Sequence, residues 1–170
     1  MDFTPGSKLI YPAHGTAEVL GRTTRTVNGE EVGYVELSVE PRGYGTSGPM
    51  KILVPEAKAA ELGVRPAISR EEAEEVLEVL AVTKVRVPSN WSRRFKNHVE
   101  KLKSGDVYQC AEVVRNLSIR ERDGRLSSAE QTMQTNARTI LVSELAVSWD
   151  VPTEEAEARV NAVLAGAGTR

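Results

Sequence analysis

The sequence predicts an α+β protein, a small N-terminal β-barrel (residues 1–66) followed by a compact C-terminal domain of five helices (67–170). Three observations carry this. Apolar residues recur at every second position before residue 66 and at every third or fourth after it. Turn signals crowd the first part, whereas helix-capping signatures punctuate the second. No period of solenoid length and no low-complexity tract runs through the chain.

Before residue 66, β-prone segments alternate with turns: "KLIYP", "AEVLGRTTRTV", "VGYVELSVE" and "MKILVP". In the third, Val35, Leu37 and Val39 fall on one face and Glu36, Ser38 and Glu40 on the other, as in a half-buried strand. Asn28 and Gly29 both tolerate positive φ and predict a tight hairpin. Pro12 and Pro55 mark strand ends or edges, because proline cannot donate to a ladder. About four or five strands in so short a stretch suit a small barrel of SH3 or Tudor type better than a sandwich.

After residue 66, Ser69 and Glu72 have capping-box spacing, followed by Ala73, Val76, Leu77 and Leu80 on one helical face. Ser89 or Asn90 can cap a second helix with a stripe of Phe95, Val99 and Leu102, ended by Gly105. Asp106 opens a third, bearing Val107, Cys110, Ala111, Val114 and Leu117. Ser127 and Glu130 open the fourth and longest, with Met133, Ala137, Ile140, Leu141 and Leu145. Thr153 begins the fifth, which carries Ala156, Val160, Val163 and Leu164. Short links between them predict a compact bundle.

Composition bounds the function. Forty per cent hydrophobic and 27% charged residues argue against disorder. No apolar run is long enough to span a bilayer and "MDFTPGSKLI" has no signal-peptide pattern, so an intracellular protein is expected. The single cysteine, Cys110, excludes an internal disulfide and reads as a small core residue. Net charge is −2, but residues 84–125 hold 11 Lys+Arg against 5 Asp+Glu. Such a local excess is either a solvated surface or a footprint for phosphate.

Enzyme signals fail on context. "GYGTSG" at 43–48 spells a dinucleotide-binding loop, yet Pro49 and a strand follow where the pyrophosphate needs a helix N-terminus. His14 and His98 have no Cys, Asp or Glu at ligand spacing, so neither a metal nor another cofactor is expected. Glu71, Glu72, Glu74 and Glu75 spread round a helix opposite its apolar stripe, as solvated residues do. A non-enzyme is the reading.

"YPAHGTAEV" (11–19), "VP" (54–55), "LGVRP" (62–66), "NWSRRFK" (90–96), "LKSGD" (102–106), "AEVVRNL" (111–117), "LSSAE" (126–130) and "ARTILVSELA" (137–146) together carry a resemblance. In order and spacing the chain resembles the bacterial CarD family of RNA polymerase-binding transcription regulators. The resemblance implies a Tudor-like N-terminal domain that binds the polymerase β subunit and a helical domain that touches promoter DNA upstream of the bubble. It gives Trp91 the role of a minor-groove wedge that stabilises the open complex, with Arg93, Arg94 and Lys96 on the phosphates. Polymerase contact falls to Arg25, Lys51 and Leu53, where Leu53 replaces the basic residue of several members and Lys51 or Arg25 compensates. Gln131, Thr132 and Asn136 stand where the family commonly has Lys or Arg, so weaker DNA binding is expected of this chain. A cytoplasmic monomer, associated with the nucleoid through polymerase, completes the expectation. The alternative is a protein-interaction module with little or no DNA binding.

At 100° per residue, Phe95, Val99 and Leu102 lie about 40°, 80° and 20° from Trp91, and Arg94 about −60°. Trp91 therefore belongs to the apolar stripe of its helix. It also occupies the first turn, where an indole can overhang the core beside a helix N-terminus that attracts phosphate.

Overall fold

The computed structural model describes residues 1–11, 14–40 and 48–167. The chain divides into two compact units, Met1–Ala67 and Ile68–Arg170. Pro12 and the Gly-rich segment up to residue 47 lie outside the described residues. No helix among the described residues is long and apolar enough to cross a membrane.

The first unit is a five-stranded antiparallel sheet in the order β4-β3-β2-β1-β5. Its strands are β1 (Lys8–Tyr11), β2 (Gly15–Val27), β3 (Glu30–Val39), β4 (Met50–Pro55) and β5 (Arg65–Pro66), with a 3-10 turn at Glu56–Lys58. Asn28 (φ 52°) and Gly29 (φ 83°) turn β2 into β3 and place Val27 opposite Glu30. Positive φ at both turn residues matches the twist of the flanking strands. Among the described residues the ladder ends at β4 and β5 without the pairing that would close it. The β domain expected from sequence is present as five antiparallel strands, with the two residues of β5 pairing with β1.

A register shift between Val19 and Gly21 marks a bulge, at which Leu20 is left exposed. One sheet face supplies Leu9, Ala17, Val19, Val35, Leu37, Val39 and Val54 to a core completed by Phe3, Ala59 and Val64. The outer face of β3 and β4 carries Glu36, Ser38, Lys51 and Leu53, directly paired as Glu36–Leu53 and Ser38–Lys51.

The second unit holds α1 (Arg70–Ala81), α2 (Trp91–Lys103), α3 (Val107–Asp123), α4 (Ser128–Trp149) and α5 (Thr153–Ala167). Full capping boxes start α1 at Ser69/Glu72 and α4 at Ser127/Glu130. Asn90 and Asp106 cap α2 and α3 by accepting from the backbone N–H of Arg93 and Tyr108. The core runs from Val76 and Leu80 of α1 through Val114 and Leu117 of α3 to Leu141 and Leu145 of α4 and Val160 of α5.

Two features depart from simple stripes. Helix α3 is buried on more than one side, adding Val113, Arg115, Asn116 and Ser118 to its expected apolar face. It packs against α1, α2 and α4 at once, which removes its solvent side over the middle turns. The deepest residues of α2 are not Phe95, Val99 and Leu102, which are only half-buried, but Arg94 and His98.

Candidate nucleic-acid interface

The N-terminus of α2 lies against the N-terminus of α4, and Trp91 and Arg94 make the contact. Trp91 is 42% exposed. One face of its indole stacks on Phe95, with ring centroids 5.0 Å apart and planes 12° from parallel. Its Nε1 donates to Glu130 Oε1 at 3.2 Å and to Ser127 Oγ at 3.4 Å. The half-core, half-surface position expected from periodicity is observed, with a polar anchor that periodicity does not reveal.

Glu130 is only 2% exposed. Oε1 also accepts from Ser127 N at 3.3 Å and from the Ser127 hydroxyl at 3.1 Å. Oε2 faces Arg94 Nε at 3.5 Å and Arg120 Nε at 3.2 Å. Neither Nε is aligned for a hydrogen bond, so both contacts are charge pairing. Burial by itself would raise the Glu130 carboxyl; the Ser127 hydrogen bonds, then Arg120 and Arg94, outweigh it and hold the group below its ordinary value. Glu130 is thus an anion at neutral pH.

Arg94 requires a correction. Expected beside Trp91 as a cation for DNA, it is 4% exposed. Its Nη1 donates to the carbonyls of Pro88 and Ser89 at 3.3 Å. Those bonds fasten the residues leading into α2, while the charge is neutralised by Glu130. A guanidinium this deep is stable only when paired, which withdraws it from phosphate.

Arg93 and Lys96 are exposed as expected. Helical geometry sets them about 200° and 140° round α2 from Trp91, on the far side from the indole. A further cation reaches the same carboxylate: Arg120 of α3, whose side chain is 41% exposed, shares Glu130 with Trp91. Sequence reading counts Arg120 within the basic stretch but has no means to place it there. Gln131, Thr132 and Asn136 are exposed on α4, and Gln131 Nε2 donates to the Leu126 carbonyl.

His98 lies one turn beyond Arg94 and is 2% exposed, its Nδ1 without a partner among the described residues. Burial first, then the charges of Lys101 and Arg94, push its imidazole from the ordinary 6.5 down to about 4, against a smaller opposing pull from Glu130. Well above pH 6.5 the residue is neutral in both folded and unfolded chains. Between 6.5 and about 4 the unfolded chain takes up a proton that the folded chain refuses. Stability is therefore expected to fall across that window, by up to about 3 kcal/mol at its acid end. Thermal melts across it should show a steeper decline for the native chain than for His98→Met; equal declines would refute the assignment.

In the β unit, the strand register brings the three expected polymerase-contacting residues to one face. Arg25 pairs with Val32, and Val32, Tyr34, Glu36 and Ser38 alternate outward along β3, opposite Lys51 and Leu53 of β4. Lys51 Nζ is 2.9 Å from Glu36 Oε2, whereas Arg25 has no ion pair among the described residues. Leu53 is half-buried. Among the described residues no cluster of His, Cys, Asp and Glu could hold a metal ion. Helix is absent after "GYGTSG", since Met50–Pro55 is strand β4.

Comparison with known proteins supplies what geometry leaves open. The family description "CarD, C-terminal domain" matches residues 75–161, just over half of the 170-residue chain. The chain belongs to the CarD family. It is also 24% identical over 145 residues, 85% of its length and 91% of the relative's, to the Bacillus subtilis (strain 168) protein named "Putative transcription factor YdeB". In this CarD chain Trp91, Arg94, Arg120 and Glu130 all lie inside the matched region, and Arg25, Lys51 and Leu53 precede it.

Proposed function

We propose that this CarD-family protein is a transcription regulator that docks on the RNA polymerase β subunit and stabilises the open promoter complex from the upstream edge of the bubble. Family membership and the name of the Bacillus subtilis relative support the regulator reading. The observation that carries the DNA contact is a large aromatic residue left 42% exposed although its ring is held by a stack and by its N–H. A rigid apolar edge at the protein surface suits insertion at an unstacked base step. Arg93 and Lys96 hold phosphates on the solvent side of α2, and Arg120 serves beside the ring. Phosphate contact and junction shape suffice for such a role, so little sequence reading is required. The deciding experiment is the lifetime of open complexes formed with native protein and with Trp91→Ala.

The outer sheet face with Arg25, Lys51 and Leu53 is the docking face for the β subunit in this reading. Docking raises the concentration of the helical domain at the promoter without further contacts. Arg25, without an ion pair among the described residues, is the cation to reverse. Arg25→Glu is expected to abolish capture of an isolated β-subunit fragment while leaving thermal stability within about 0.5 kcal/mol; retained capture would exclude this face.

A second reading, a protein-interaction module with little DNA binding, is favoured by the withdrawal of Arg94 and by the neutral Gln131, Thr132 and Asn136. Under it, Trp91→Ala lowers the melting temperature and leaves the open-complex lifetime unchanged.

A further inference from the structure

Glu130 collects donors from three helices at one carboxylate: Trp91 and Arg94 of α2, Arg120 of α3, and Ser127 at the cap of its own helix α4. Capping would need only an exposed carboxylate, as Glu72 provides for α1. Neutralising Arg94 alone gives no reason for the indole N–H to be included. The stack on Phe95 fixes the plane of the Trp91 ring, and the Nε1–Glu130 bond fixes its rotation within that plane. A ring with both orientations set beforehand loses little rotamer freedom when it meets a partner.

We infer that Glu130 is a positioning residue for Trp91, holding the indole with its N–H turned inward so that the ring meets DNA through its apolar surface alone. The indole N–H then makes no base-edge hydrogen bond, and contact depends on shape and stacking rather than on sequence. The Ser127 hydrogen bonds, with Arg120 and Arg94 beside them, hold Glu130 ionised and so keep it a strong acceptor. This inference rests on the open-promoter reading above.

The test compares Glu130→Gln, Trp91→Ala and the double variant of the full chain with a fourth chain carrying benzothienylalanine at position 91. That analogue keeps the ring shape, lacks the N–H and leaves the Glu130 ion pairs intact, so it remains informative if a Glu130 variant fails to fold. Glu130→Gln is expected to shift the Trp91 indole N–H resonance and speed its solvent exchange. The indole of Trp149, buried and without a hydrogen-bond partner, serves as the internal control. Open-complex lifetime should fall about fivefold, the equivalent of one hydrogen bond. The double variant should be no worse than Trp91→Ala alone, and the analogue should lose lifetime to a similar degree at an unchanged melting temperature. Full lifetime with the analogue, or losses that multiply in the double variant, would overturn the inference. If Trp91→Ala itself leaves lifetime unchanged, the open-promoter reading fails, and the indole resonance still reports separately whether Glu130 holds the ring.

Discussion

Trp91→Ala is expected to shorten the lifetime of the open promoter complex roughly five- to a hundredfold while leaving capture by polymerase intact. The range follows from the roughly 1–3 kcal/mol that an aromatic ring contributes when it stacks on a base. Unstacking a base step costs a few kcal/mol, so the indole cannot melt a promoter unaided. It can hold a junction already opened, because a ligand shifts a two-state equilibrium by its difference in affinity for the two states. In the protein itself the substitution removes one stack and an N–H shared between Glu130 and Ser127, at a residue that is already 42% exposed. The melting temperature should therefore change little. A large fall in melting temperature with an unaltered lifetime would instead make Trp91 a structural residue.

The second large effect is on stability and separates two adjacent arginines. Arg94→Ala leaves Glu130 with Arg120 as its remaining cation and frees the carbonyls of Pro88 and Ser89. Breaking one partner out of a buried pair costs about 3–5 kcal/mol, and the surviving Arg120 puts the expected loss near the lower end. For a unit of this size that is a drop in melting temperature of more than about 10 °C. Arg93→Ala, one position earlier and exposed, should alter stability by less than about 0.5 kcal/mol. It should instead reduce the log–log salt slope of DNA binding by about 0.9, the signature of one lost phosphate contact. Equal stabilities for the two variants would show that Arg94 is not paired as described.

How much was legible in the sequence follows from which signals are local. Val35, Leu37 and Val39 announced their strand by a two-residue period, and they are buried as that period requires. Ser69/Glu72 and Ser127/Glu130 announced two helix starts, because a capping box is completed within four residues of chain. Asn28-Gly29 announced the hairpin through a backbone preference of those two residues alone. Arg94 went astray because no local rule distinguishes an arginine that turns inward to a buried carboxylate from its exposed neighbours Arg93 and Lys96. Its partner Glu130 lies 36 positions along the chain, and in sequence that glutamate read as an ordinary capping residue.

The sequence by itself determined the β-then-α order, the five helix positions, the tight hairpin and the family, since each is written in short-range period, capping or motif spacing. Only the tertiary structure decided which cation accompanies the indole. Arg94 turns into the core, Arg93 and Lys96 face away, and Arg120 arrives from another helix. Packing brings α2, α3 and α4 to a single carboxylate, and charge pairing in a desolvated place depends on three-dimensional distance, which the linear order of residues does not contain.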